Sequence, residues 1–160
     1  MSKITIALIP APEAITVSQQ TVLSQAGRLI LQTQKHPTAN AIRTLGYQFN
    51  TMDDLYESAE DFDTLNQSIA ARLCGAGGCV YVATGNIQNS QLPVVLSVAE
   101  QRGVTVQVLP HLSVGDVAFS NRARSIAVSV HDLPQGLDPE QNYTLEEIDS
   151  ARIAGEAKLL

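Results

Sequence analysis

Two carboxylate pairs stand at the spacing of one helical turn: Glu57-x-x-Glu60, inside DDLYESAEDFD, and Glu146-x-x-Asp149. Residues three apart share a helix face, so two such pairs brought together could hold Mg²⁺ for nucleotide pyrophosphate hydrolysis. Helix enzymes with that motif are all-α, however, and here the pairs lie far apart in a chain of alternating strand and helix patterns. The helix dipole and solubility favour acidic residues near helix starts anyway, and that plainer reading outweighs a metal site. No metal is expected.

The histidines are His36, His111 and His131. His36 in QKHP and His111 in LPHLS lie just past strands, on the edge where a ligand would bind. Neither has an acidic partner or nucleophile at an informative spacing, so packing or surface roles weigh more. GAGG at 75–78 precedes a strand and lacks the Lys-Ser/Thr of a phosphate loop, so it reads as a turn. Cys74 and Cys79 flank it at a spacing that matches no metal set, and read as buried thiols. The best local candidate is YVATGNIQNS at 81–90. A strand ends at Ala83, and Thr84, Gly85 and Asn86 form an open turn whose N–H groups could hold a ligand.

These residues need elements to position them. Apolar β-type runs at 4–9, 29–32, 47–50, 79–83 and 104–109, with a weaker one at 126–130, alternate with helical patterns. The helical stretches are 17–26, 38–45, 61–74 and 92–102, with Gly27, Gly46, Gly75 and Gly103 as expected stops. Leu65, Ile69, Ala70 and Leu73 share one face of the third. Such alternation implies βαβ units: an α/β fold with a mainly parallel sheet of five or six strands and helices on both faces.

A length of 160 residues suits one domain with its own core. Aromatics are 4% and tryptophan is absent, so that core must come from Val, Ile, Leu and Ala. The net charge of -6 disfavours nucleic acid and anionic membranes, whose phosphates would be repelled. No apolar run reaches membrane-spanning length and no signal peptide is visible, so a cytoplasmic location is expected. The stretch DLPQGLDPEQN, 132–142, reads as a linker. The expected organisation is an α/β domain over 1–131, that linker, and the start of a second, truncated domain over 143–160.

Several stretches together resemble one family. LILQTQKHPTANAIRTLGYQFNTMDDLYESAEDFDTLNQSIAARL, 29–73, is similar to the N-terminal region of tetrapyrrole methylase-like proteins, closest to the subgroup fused to a MazG-type nucleotide pyrophosphohydrolase. The matching positions are Thr33, His36 and Pro37, then Asp54-Leu55-Tyr56-Glu57, then Phe62-Asp63. EIDSARIAGEAKLL, 147–160, resembles the start of the family's second domain. The resemblance implies two α/β domains, usually in a homodimer, with S-adenosylmethionine bound in the cleft between them for methyl transfer to porphyrin or corrin precursors.

The resemblance also implies which loops would touch the donor. The family's Gly-x-Gly-Pro-Gly-Asp loop falls on Leu8-Ile9-Pro10-Ala11-Pro12-Glu13, with every glycine gone. The loop after the fourth strand includes Ala83, Thr84, Gly85 and Asn86, and only Gly85 survives of its Pro-Gly-x-Pro pattern. The turn after the fifth strand is Pro110-His111-Leu112-Ser113, without its glycine. The implied cofactor-binding residues are therefore Pro10, Ala11, Pro12, Ala83, Thr84, Gly85, Asn86, His111 and Ser113. Proline offers no N–H, and Ala11 and Glu13 put side chains where bare backbone is wanted. Two expectations follow: a methyltransferase domain with degenerate donor loops, or a non-catalytic binding module associated with a MazG-type pyrophosphohydrolase.

Overall fold

The first strand shows why this chain makes a sheet buried on both sides. In KITIAL, Ile4, Ile6 and Leu8 enter one core cluster, while Ala7 and the following Ile9 enter another. Side chains alternate across a strand, so an almost unbroken apolar run needs cover on both faces. The computed structural model describes residues 2–117; the expected strand at 126–130, the linker and the segment beyond it lie outside them. Residues 2–111 belong to one compact unit and 112–117 to another.

The first unit is an α/β layer structure. In order it contains β1 (Lys3–Leu8), a 3-10 turn (Pro12–Ala14), α1 (Val17–Ser24), β2 (Leu29–Leu31), α2 (Pro37–Thr44) and β3 (Asn50–Thr51). Then follow α3 (Asp53–Ser58), α4 (Phe62–Gly75), β4 (Cys79–Ala83), α5 (Gln91–Arg102) and β5 (Thr105–Val108). The five strands run in the order β3-β2-β4-β1-β5, and every neighbouring pair is parallel.

Helices cover both faces, as the apolar runs require. Leu65, Ile69, Ala70 and Leu73 of α4, with Val95 and Ala99 of α5, pack on Ile4, Ile6, Ile30 and Tyr81. On the other face Leu23 of α1 and Ala39 and Ile42 of α2 pack on Ala7, Leu29, Leu31, Val80 and Val82. Burying one such aliphatic side chain is worth about 1.5–3 kcal/mol, so α4 alone anchors its face firmly.

Four sequence expectations change. The strand expected at 47–50 is only Asn50–Thr51, because the chain is still closing α2 there. Gly46 takes a φ of 90°, its N–H reaches the Arg43 carbonyl, and the Tyr47 N–H reaches back to Ile42. This is a Schellman end, and it delays the strand. Gly103 closes α5 the same way, through Gly103 to Glu100 and Val104 to Ala99. Gly27 and Gly75 are not such stops: α1 already ends at Ser24, and Gly75 lies within α4, capped by Ala76. The fourth change is α3, which forms a separate helix because Ala59 is extended and breaks it from α4.

Candidate functional site

The topology singles out one crevice. From β2 the chain leaves through α2 towards β3; from the neighbouring β4 it leaves through α5 towards β5, on the opposite side and over the opposite face. Between such strands the carboxyl-end loops diverge, which is where open α/β sheets bind ligands. At this point the structure places a polar network.

Gln32 follows the last residue of β2 and turns its side-chain amide across the crevice. Its Oε1 accepts from the backbone N–H of Thr84 at 2.9 Å and of Gly85 at 3.1 Å, with the Thr84 hydroxyl at 3.4 Å. Its Nε2 donates to the Tyr56 hydroxyl at 2.8 Å. Tyr56 also accepts from Gln91 Nε2 at 3.3 Å, and Gln91 Oε1 accepts from the buried Tyr81 hydroxyl at 2.7 Å. Burial, with the nearby Tyr56 adding to it, pushes the Tyr81 hydroxyl well above its ordinary value, so it serves here as a neutral donor.

The N–H groups of the 84–85 turn are thus not free, contrary to the expectation from sequence. A carboxamide of the protein itself satisfies them. Asn86 Oδ1 receives the Gln88 N–H at 3.2 Å, so this side chain shapes its own turn. Ala83 is buried and gives its carbonyl to the Ile9 N–H at 2.9 Å.

The loop after β1 is equally occupied. Pro12 opens the 3-10 turn, and the Ala14 N–H bonds the Ala11 carbonyl at 3.0 Å. Gln19, fully buried, donates to the Leu8 carbonyl at 2.9 Å while its Oε1 takes the Thr16 N–H at 3.0 Å. The Thr38 hydroxyl donates to the Ile9 carbonyl at 3.2 Å. Pro10, Ala11 and Pro12 are half-buried in this packing.

After β5, His111 stands between the Leu109 carbonyl at Nδ1 and Gln88 Nε2 at its own Nε2, each at 3.4 Å. A proton on Nδ1 suits both contacts, and the ring ties this turn to the β4–α5 turn. Ser113 lies in the second unit, where its hydroxyl and N–H exchange hydrogen bonds with Asp116 and start a helical turn at 114–117. Loops after β4, β1 and β5 follow three adjacent strands, so the structure sets Pro10, Ala11, Pro12, Ala83, Thr84, Gly85, Asn86 and His111 on one edge of the sheet.

The other chemical candidates have structural duties. His36 caps α2 by accepting the Thr38 N–H on Nδ1 at 3.2 Å. Asp54 grips Arg72 with both oxygens at 2.7 Å, and its hydrogen bond from Arg72 holds its carboxyl below the ordinary range. Glu57 meets Lys35 at 3.2 Å on the surface. Glu57 and Glu60 are not one helical turn apart, because α3 ends at Ser58. Glu146, Asp149 and His131 lie outside the described residues. Among the described residues no three His, Cys, Asp or Glu side chains gather in a way that could hold a metal ion.

Asp53 supports the β2–α2 loop. It accepts the Thr33 hydroxyl at 2.6 Å and the Gln34 N–H at 2.9 Å. Burial pushes its carboxyl up, but these bonds, the Thr51 hydroxyl and the Lys35 charge outweigh it and hold it below its usual value. At the opposite edge of the sheet, a groove of about 520 Å³ is lined by Lys3, Arg28 and Gly77–Gly78 among others. Arg28 there donates to the Ala76 carbonyl at the end of α4, so this cation completes a helix terminus. Cys74 and Cys79 are buried, unpaired thiols beside the same turn.

The network residues Gln32, Tyr56, Gln91 and Tyr81 were not candidates from sequence. One signal was present: Tyr81 interrupts the aliphatic run CVYVA, and a buried tyrosine hydroxyl needs a partner. No protein-family model matches the chain, and no curated protein matches it. Among the described residues no helix is long and apolar enough to cross a membrane.

Proposed function

We propose that this chain is a tetrapyrrole-methylase-like α/β domain whose donor loops are closed, and that it serves as a non-catalytic binding module for a MazG-type nucleotide pyrophosphohydrolase. The observation that carries this reading is Gln32 Oε1 on both the Thr84 and Gly85 N–H groups. S-adenosylmethionine does not fit these loops as they are folded: the backbone donors of one are taken, and the other is built from Pro10 and Pro12. The partner rests on the resemblance of 29–73 to the fused subgroup.

A second reading keeps a methyltransferase that binds S-adenosylmethionine at the same edge, as part of a homodimeric or larger protein. The side-by-side placement of the loops after β4, β1 and β5 favours it. Calorimetric titration of the chain with S-adenosylmethionine and S-adenosylhomocysteine separates the two. The closed-loop reading expects no heat of binding, and expects the chain to co-sediment with a purified MazG-type pyrophosphohydrolase. Saturable binding of either nucleoside would replace it with the second reading; absence of both donor binding and co-sedimentation would remove the proposed partner.

A further inference from the structure

We infer that the Gln32 side chain is an internal ligand of the β4–α5 turn, and that a carboxamide or carboxylate group from outside takes its place when Gln32 turns away. The inference rests on the closed-loop reading only for the closed turn itself. Gln32 supplies the chemistry that defines the replacement. One sp² oxygen receives two converging N–H groups at 2.9 and 3.1 Å, and the nitrogen on the same planar group meets a hydroxyl at 2.8 Å. A ligand carboxamide reproduces all three contacts. A carboxylate reproduces the first two and accepts the Tyr56 hydrogen with its second oxygen.

Tyr56 makes this placement specific. Its oxygen accepts from both Gln32 Nε2 and Gln91 Nε2, so its own hydrogen points away from both amides. The chain from Tyr81 through Gln91 holds that oxygen in place from the buried side, and Tyr56 itself is 37% exposed. The Gln32 backbone is held in the sheet, its N–H on the Val82 carbonyl at 2.8 Å, so turning away is a rotation of the side chain alone, which is held through its amide tip. Its departure exposes two N–H groups and a hydroxyl on one side of the crevice. Gly85 leaves room for it: a Cβ there would meet only the Gln32 amide, at 3.8 Å.

Competition with an internal group weakens binding by the fraction of time the turn is open. A turn open about one-tenth of the time binds about tenfold more weakly than one always open. The test is amide NMR titration of the full chain with acetamide and, separately, with acetate, in the parent and in Gln32→Ala and Tyr56→Phe. The expected result is saturable movement of the Thr84 and Gly85 resonances in Gln32→Ala at about one-tenth of the concentration the parent needs. Tyr56→Phe, which loosens Gln32 without removing it, falls between for acetamide. Equal response of parent and Gln32→Ala, or no response of Thr84 and Gly85 in a folded Gln32→Ala, overturns the inference. If Gln32→Ala does not fold, Tyr56→Phe decides it by the same comparison. Response to acetamide but not acetate assigns a neutral amide ligand, and the reverse assigns an acid. Neither outcome depends on S-adenosylmethionine, so failure here and failure of the closed-loop reading are told apart.

Discussion

The side-chain oxygen of Gln32 lies 2.9 Å from the backbone nitrogen of Thr84, across the crevice where the loops after β2 and β4 diverge to opposite sides of the sheet. The two residues are 52 positions apart, yet they close the turn as a backbone contact would. The contact holds the turn after β4 against the end of β2.

Gln32→Ala leaves the Thr84 and Gly85 N–H groups without their acceptor. The expected cost is about 1–2 kcal/mol in denaturant unfolding, since a buried donor loses its partner while the exposed one regains water. Hydrogen exchange at these two amides should accelerate relative to those of β4. Unchanged exchange would mean another acceptor replaces Gln32.

Gln19 joins the start of α1 to the end of β1. It completes a capping box with Thr16 and donates to the Leu8 carbonyl, all from a fully buried position. Gln19→Ala removes these bonds and leaves a void, at an expected cost of about 2–4 kcal/mol. Thr16→Ala removes only the cap, at about 1 kcal/mol. Comparable losses in the two variants would contradict the role of the Leu8 contact.

Asp53 gives the fold an acid-sensitive loop. Its folded carboxyl is held below its unfolded value, so its contribution is fully present above the unfolded value of about 3.9 and is lost as pH falls through the folded one. In melting experiments the parent should exceed Asp53→Asn at neutral pH and converge with it below about pH 3.9. A difference that persists to lower pH would show that the hydrogen-bond geometry, and not the charge, matters.

The two thiols should be silent in the native protein. Burial pushes Cys79 up to about 11 and raises Cys74 as well, so little thiolate exists near neutral pH. A chromogenic disulfide reagent should label neither in the folded chain and both in denaturant. Rapid labelling under native conditions would reveal local opening at the Gly77–Gly78 turn.

Much of the fold was legible in the sequence, and particular residues show why. Ile4, Ile6 and Leu8 alternate with Ala7 and Ile9, which demands a strand covered on both sides; Leu65, Ile69 and Leu73 recur at helical spacing, which demands one buried face. The α4 and α5 stretches and the β4 run followed directly. The two-residue β3 did not, because the Schellman closure of α2 at Gly46 consumes the residues that read as strand. Nor did α3, which is short and buries none of its side chains fully.

The candidate site divides the same way. Local spacing placed Pro10–Pro12, Ala83–Asn86 and His111 at strand ends, and the parallel order of β4, β1 and β5 sets them along one edge. Whether those ends were open to a ligand was not a local property. The sequence determined most of the strands and helices and the absence of glycine from the loops at 10–13 and 110–113, because periodicity and backbone freedom are written residue by residue. Only the tertiary structure decided that Gln32 and Tyr56 meet Thr84 and Gln91, because hydrogen bonds between distant segments depend on strand order and not on spacing along the chain.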